Sequence, residues 1–192
     1  MFPTKMRLAS WALSALAAAA LSLPAPARAQ SNATDLRAQY VKDVETMQSK
    51  FLELAGAMED GMYTWRPMDG VRSVSEVYML IAAENYFVPT VWGTPAPAGV
   101  TVDRTLFQTM ANVTTKADVL KHLRDSFKYT HDAVAALTDE QLASKVRFFG
   151  AERSVQEALY LILSDQHEHL GQAIAYARTN HVVPPWTARG GM

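Results

Sequence analysis

Apolar residues recur at helical spacing along four segments of the chain. In the first segment they lie three or four positions apart over several turns, and they are Leu36, Tyr40, Val44, Met47, Phe51, Leu54 and Met58. Charged residues occupy the other faces of this segment. This period predicts an amphipathic helix that ends near Gly61.

Three further helices begin at recognisable capping sequences. Ser73-Val74-Ser75-Glu76 and Ser154-Val155-Gln156-Glu157 match the capping box, in which the side chains of Ser and Glu satisfy free backbone N–H groups. Thr115 and Asp118 form a similar pattern. The second helix is predicted to end near Pro89, the third to reach Leu137, and the fourth to end near Thr179.

The connections between these helices are long. A loop is predicted over 59–72, and a second over 93–114 with a short helix at Leu106–Met110. Residues 146–149 are predicted to be extended and to end at Gly150, and Trp65 and Trp186 to anchor loops to the helices. With no convincing sheet, the pattern indicates an all-α fold, an antiparallel four-helix bundle with long inter-helix loops.

The N-terminus has the parts of an export signal. Lys5 and Arg7 precede an uncharged run from Trp11 to Leu23, and Ala27-Arg28-Ala29 forms a small-x-small cleavage site. The run is shorter than the roughly 20 residues that span a bilayer, which disfavours an uncleaved anchor. We therefore expect a signal peptide over 1–29, a single domain over 30–192, and a periplasmic or secreted protein.

Composition excludes several kinds of chemistry. The chain has 18 basic and 19 acidic residues and no cysteine. It therefore has no disulfide, thiolate nucleophile or cysteine-ligated metal. A mildly acidic mature chain without basic runs offers nothing to nucleic acid, and it has no second long apolar segment, so no membrane contact is expected after cleavage.

Several motifs, in a consistent order, resemble DinB-like proteins. They span about residues 35–187 and include Tyr63-Thr64-Trp65-Arg66-Pro67, Val71-Arg72-Ser73-Val74-Ser75-Glu76-Val77, Phe148-Phe149-Gly150, His169-Leu170-Gly171-Gln172, Ala175-Tyr176-Ala177-Arg178 and Val183-Pro184-Pro185-Trp186. The resemblance implies a four-helix bundle that is commonly a homodimer. It also implies kinship with metal-dependent enzymes that use low-molecular-weight thiols, such as mycothiol-dependent maleylpyruvate isomerases and bacillithiol transferases.

The resemblance also implies where a metal would bind. The family's usual site holds zinc or nickel with one histidine from the second helix and a His-x-x-x-His pair from the fourth. His169 matches one position, whereas Asp165 and Leu80 stand at the other two. Leu80 cannot ligate a metal.

An altered site remains a candidate. Asp165 and His169 share a face of the fourth helix, and Glu84 lies one turn beyond Leu80 on the second. If the helices bring them level, Glu84, Asp165 and His169 form a set for one divalent metal, zinc, nickel, iron or manganese. One alternative is an internal polar network of the same residues that includes Gln166 and Gln172, and another is that some of these residues face solvent.

Two functions follow from these alternatives. One is an exported binding or structural module of unassigned activity, in which the family metal site has degenerated. The other is a divalent-metal-dependent transferase or hydrolase that uses the altered Glu84, Asp165 and His169 set. Of the other histidines, His122 and His131 are predicted at the surface and His167 outside the core.

Overall fold

The computed structural model describes the backbone of residues 25–190 and the side chains from Leu36 onward, residue 188 excepted. Lys5, Arg7 and the run from Trp11 to Leu23 therefore lie outside the described residues. Residues 27–29 of the predicted cleavage site lie in the first turns of the first helix. Within the described part, no helix is long and apolar enough to cross a membrane.

Ten elements make up the described chain. They are α1 (Ala25–Ala57), a 3-10 turn (Asp60–Met62), α2 (Val74–Val91), α3 (Leu106–Ala111), α4 (Lys116–Ala135), α5 (Asp139–Ala143), β1 (Lys145–Phe148), β2 (Ala151–Ser154), α6 (Val155–Thr179) and α7 (Pro185–Ala188). The mostly helical class predicted from the sequence is confirmed.

The three predicted capping positions start helices as expected. The side-chain oxygens of Ser73 and Ser154 accept from the N–H of Glu76 and Glu157, and both capping boxes are complete. Thr115 accepts from the N–H of Asp118 at the start of α4. Because each cap satisfies an N–H group that has no partner within its helix, these polar residues fix where the helices begin.

The expectation that the chain has no sheet is wrong. β1 and β2 form a two-stranded antiparallel sheet in which Lys145 pairs with Ser154 and Phe148 with Ala151. The turn consists of Phe149 and Gly150, whose φ angles are 45° and 79°. Positive φ at both central positions is the turn geometry that matches the twist of a hairpin.

The core lies between the long helices. α4 and α6 each pack against both α1 and α2. Aromatic rings pack between three of these helices. The ring centroid of Phe51 in α1 lies 6.3 Å from that of Tyr78 in α2 and 6.0 Å from that of Phe127 in α4. Trp65 and Trp186 pack against this core as half-buried side chains, as predicted.

Candidate functional site

Asp165 of α6 lies between the two other predicted site residues. Its Oδ2 is 3.5 Å from Nε2 of His169, one helical turn further along α6. It also faces Glu84 of α2, which is 6 % exposed, and its charge acts on that carboxyl. The structure therefore brings Glu84, Asp165 and His169 together, where α2 and α6 pack.

The protonation of Glu84 follows from this placement. Burial first, then the charge of Asp165 and a hydrogen bond between the two carboxyl groups, raise the pKa of Glu84 to about 9, while the charge of Arg72 opposes the shift. Oε2 of Glu84 and Oδ2 of Asp165 are buried, and no described residue outside this pair donates a hydrogen bond to them. A proton on Glu84 supplies the hydrogen that two carboxylates lack, so Glu84 is neutral at pH 7.

A chain of hydrogen bonds fixes the other side of His169. The carbonyl oxygen of Arg72 can only accept, so the Tyr176 hydroxyl, 3.1 Å away, donates to it. The Gln172 amide nitrogen then donates to Tyr176, also over 3.1 Å, and turns the amide oxygen toward Nδ1 of His169 at 2.9 Å. Nδ1 of His169 therefore carries a hydrogen, and Nε2 faces Asp165.

Gln166 is not part of this network, which corrects one expectation. Its amide nitrogen donates to Oδ1 of Asn85 over 2.8 Å, and both side chains are fully buried. The amide of Asn85 reaches Ser126 at 3.4 Å, and the hydroxyl of Thr130 donates to the Asn85 carbonyl at 2.8 Å. This second network joins α2, α4 and α6 inside the core.

The metal-ligand hypothesis does not gain a complete ligand set. Leu80 stands where the family's second-helix histidine was expected, and its half-buried side chain has no polar atom. In the part of the chain with described side chains, no group of three His, Asp or Glu side chains is arranged to hold a metal ion. Glu84, Asp165 and His169 are neighbours, with Asp165 in contact with the other two and His169 hydrogen-bonded to Gln172.

A cleft opens beside this network, and the sequence alone gave no sign of it. It has a volume of about 670 Å³. Its lining comes from the loop before α2, from α2, α3 and α6, and consists of Arg66, Gly70, Val71, Arg72, Glu76, Leu80, Phe107, Ala111 and Gln172. Because Leu80 and Gln172 both line it, the cleft lies next to Glu84 and His169.

The remaining histidines differ partly from expectation. His167 is exposed, as predicted. The surface prediction is wrong for His122, which is half-buried with its ring 6.2 Å from Tyr86, and burial lowers its pKa. His131 is also half-buried, and its Nε2 lies 3.3 Å from a carboxyl oxygen of Glu45 on α1. Both lie where α4 meets a neighbouring helix.

Two solved structures have a similar fold. A DinB-like protein from Bacillus cereus ATCC 10987 matches with a TM-score of 0.64 and 14 % identity. A DinB-like protein, YjoA, from Bacillus subtilis matches with a TM-score of 0.60 and 21 % identity. Each match covers 76 % of this chain and 93 % of the other. At such low sequence identity, the two structural matches show similarity of fold alone.

Sequence comparison gives the family directly. No curated protein matches this chain. The sequence profile of the DinB superfamily matches residues 43–173, which is more than half of the chain and includes Glu84, Asp165 and His169. The chain therefore belongs to the DinB superfamily.

Proposed function

We propose that this protein is an exported DinB-like four-helix bundle that binds a small molecule in the cleft at Leu80 and Gln172 without a metal ion. The observation that carries the proposal is the lining of the cleft, which includes Leu80, one helical turn before Glu84, and Gln172, which hydrogen-bonds His169. Its volume of about 670 Å³ lies in the range of small-molecule pockets, roughly 300–1,000 Å³.

The interactions of the polar cluster support binding without a metal. Gln172 occupies Nδ1 of His169, and Asp165 lies against both Nε2 of His169 and the carboxyl of Glu84. Because Glu84 is neutral, it adds no second negative charge beside Asp165 that a cation would have to balance. Leu80 places an apolar side chain where a metal site would require a further coordinating residue. These residues therefore favour a binding site built from protein groups alone.

Export supports a departure from the family's thiol chemistry. The charged start at Lys5 and Arg7, the apolar run and the Ala27-Arg28-Ala29 site favour removal of residues 1–29 and release outside the cytoplasm. Low-molecular-weight thiols are cytoplasmic, so an exported relative works without that cofactor pool. N-terminal sequencing of the protein recovered from its own cells should begin at Gln30, and recovery with Met1 would contradict export.

A second candidate, a divalent-metal-dependent hydrolase or transferase, is favoured by one observation. The buried Oε2 of Glu84 and Oδ2 of Asp165 receive no hydrogen bond from any described residue outside this pair. When neutral with its hydrogen on Nδ1, His169 presents the lone pair of Nε2 toward Asp165, as metal-ligating histidines do. These three residues would hold the ion, which would act as a Lewis acid or activate water.

Metal analysis of the purified mature protein separates the two candidates. After incubation with zinc, nickel, iron or manganese and desalting, we expect much less than one ion per chain, with the same content in His169→Ala. His181→Ala is the matched control, because this exposed histidine lies outside the cluster. One tightly held ion per chain that is lost in His169→Ala, but retained in His181→Ala, would refute binding without a metal and establish the second candidate.

A further inference from the structure

Arg72 gives the cleft one positive charge that no carboxylate neutralises. Among the residues with described side chains, no acidic group forms an ion pair with it. The other arginine of the cleft differs, because Arg66 donates to the carbonyl of Val71 over 2.7 Å and pairs with Glu76 at 3.2 Å. Arg72 therefore carries the unbalanced charge.

The backbone holds Arg72 in a fixed place at the cleft. Its carbonyl accepts from the Tyr176 hydroxyl on α6, and Ser73, the next residue, caps α2. The side chain is exposed and lines the cleft, and its charge reaches the Glu84 carboxyl. A guanidinium on a backbone fixed in this way can recognise a carboxylate with two parallel hydrogen bonds.

Part of the cleft lining is apolar. Leu80, Phe107 and Ala111 line it with carbon atoms, and Phe107 is 40 % exposed although its ring packs 6.2 Å from Phe87. Gln172, which also lines the cleft, already uses both ends of its amide on His169 and Tyr176. The cleft thus offers one cation next to a hydrocarbon wall.

We infer that the ligand of this cleft is a small organic carboxylate with an apolar body. Its carboxylate pairs with Arg72, and its hydrocarbon or aromatic part covers Leu80 and Phe107. The inference rests on the proposed binding function and adds the chemical class of the ligand.

Titration calorimetry on the mature protein tests this inference with matched pairs of probes. Benzoate, phenylacetate and hexanoate are each compared with the corresponding neutral primary amide, and acetate tests the need for an apolar body. The variants are Arg72→Gln, which removes the charge, Arg72→Lys, which keeps it without the fork, and Ala111→Trp, which fills the cleft. Arg124→Gln is the matched control, because Arg124 is an exposed arginine of α4 outside the cleft.

We expect the larger carboxylates to bind more tightly than their amides and than acetate. Arg72→Gln should weaken them by about tenfold to a hundredfold, the usual effect of losing a charged hydrogen bond. The carboxylate affinity of Arg72→Lys should lie between those of the wild type and Arg72→Gln. Ala111→Trp should abolish carboxylate binding, and Arg124→Gln should leave the affinity unchanged. Thermal unfolding confirms that each variant is folded.

Three results would overturn the inference, and they identify which step fails. Amides that bind as well as carboxylates, with loss only in Ala111→Trp, would leave the cleft as a binding site and refute the anionic ligand. Carboxylate binding that survives Ala111→Trp would show that these ligands bind outside the cleft, and it would refute the cleft as their binding site. Failure of every carboxylate to bind at millimolar concentration would refute the ligand class.

Discussion

Replacing Glu84 with glutamine should change how the stability of the protein depends on pH. Glu84 is buried in α2 beside Asp165, and its pKa lies near 9 instead of the ordinary 4.5. Glutamine has almost the same shape as a protonated glutamic acid and stays neutral at every pH. Glu84→Gln therefore keeps the packing of the folded protein and removes the titration.

The sign and size of the effect follow from proton binding. Below pH 4.5 Glu84 is protonated in both the folded and the unfolded chain. Between pH 4.5 and about 9 the folded chain binds one more proton, so the free energy of unfolding falls as the pH rises. One group contributes at most about 1.4 kcal/mol per pH unit, so the wild type should lose up to about 3 kcal/mol relative to Glu84→Gln between about pH 6 and pH 8.

Urea unfolding followed by circular dichroism at several pH values measures this difference. Chelator in all samples keeps trace metal from binding the cluster, and Glu168→Gln on the exposed face of α6 serves as the matched control. Asp165→Asn should narrow the pH range of the effect, because it removes a charge that raises the pKa of Glu84. Parallel stability curves for the wild type and Glu84→Gln would refute a neutral, buried Glu84.

Three further substitutions test the fold around the site. Ser154→Ala should cost about 1 kcal/mol in urea unfolding because α6 loses its cap, while Ser164→Ala on the exposed face of α6 should not destabilise. Phe149→Asn should stabilise by about 1 kcal/mol, since Phe149 holds a positive φ and is exposed; a lower melting temperature would contradict this. Gln166→Leu should destabilise by about 1–3 kcal/mol because Oδ1 of Asn85 loses its donor inside the core, and unchanged stability would argue against that network.

The starts of the helices could be predicted from the sequence because a cap is a local interaction. Ser73 and Ser154 bond to N–H groups only three residues away, so the pattern of nearby residues contains the whole contact. The apolar period predicted the buried face of each helix for a similar reason. In α1 the predicted positions from Tyr40 onward are buried, namely Tyr40, Val44, Met47, Phe51, Leu54 and Met58, whereas Leu36 is 50 % exposed.

Contacts between helices were harder to predict because the period fixes a face but not the relative height of two helices. Gln166 was assigned to the His169 network, yet the packing of α2 against α6 places it opposite Asn85. His122 lies beside the apolar stripe of α4, but Tyr86 of α2 covers it. Both errors arise because the sequence does not show how far one helix is shifted along its axis relative to its neighbour.

The hairpin and the cleft lacked a sequence signal for different reasons. Asn-Gly or Asp-Gly is the usual signal for a two-residue turn, whereas this chain uses Phe149 and Gly150, so only the first strand was predicted. Arg72 precedes a capping serine in a loop, where an exposed arginine is common. The proposed pairing of Arg72 with a carboxylate depends on the cleft residues that α3 and α6 contribute, and the sequence does not show which these are.

The neutral state of Glu84 links the stability prediction to the proposed ligand. The charged residues that line the cleft are Arg66, Arg72 and Glu76. Arg72 and Asp165 act on the carboxyl of Glu84, and His169 lies beside Asp165. When Glu84 ionises, its own carboxylate lies near Arg72. It would then compete with the carboxylate of the ligand for the Arg72 guanidinium.

The affinity for benzoate should therefore fall as the pH rises toward 9 in the wild type. In Glu84→Gln it should stay constant, because the side chain cannot ionise. Calorimetry at matched pH values checks this, with the neutral amide as a probe that should show no dependence on pH in either protein. An equal loss of benzoate affinity in both proteins would show that a group other than Glu84 controls the anion site.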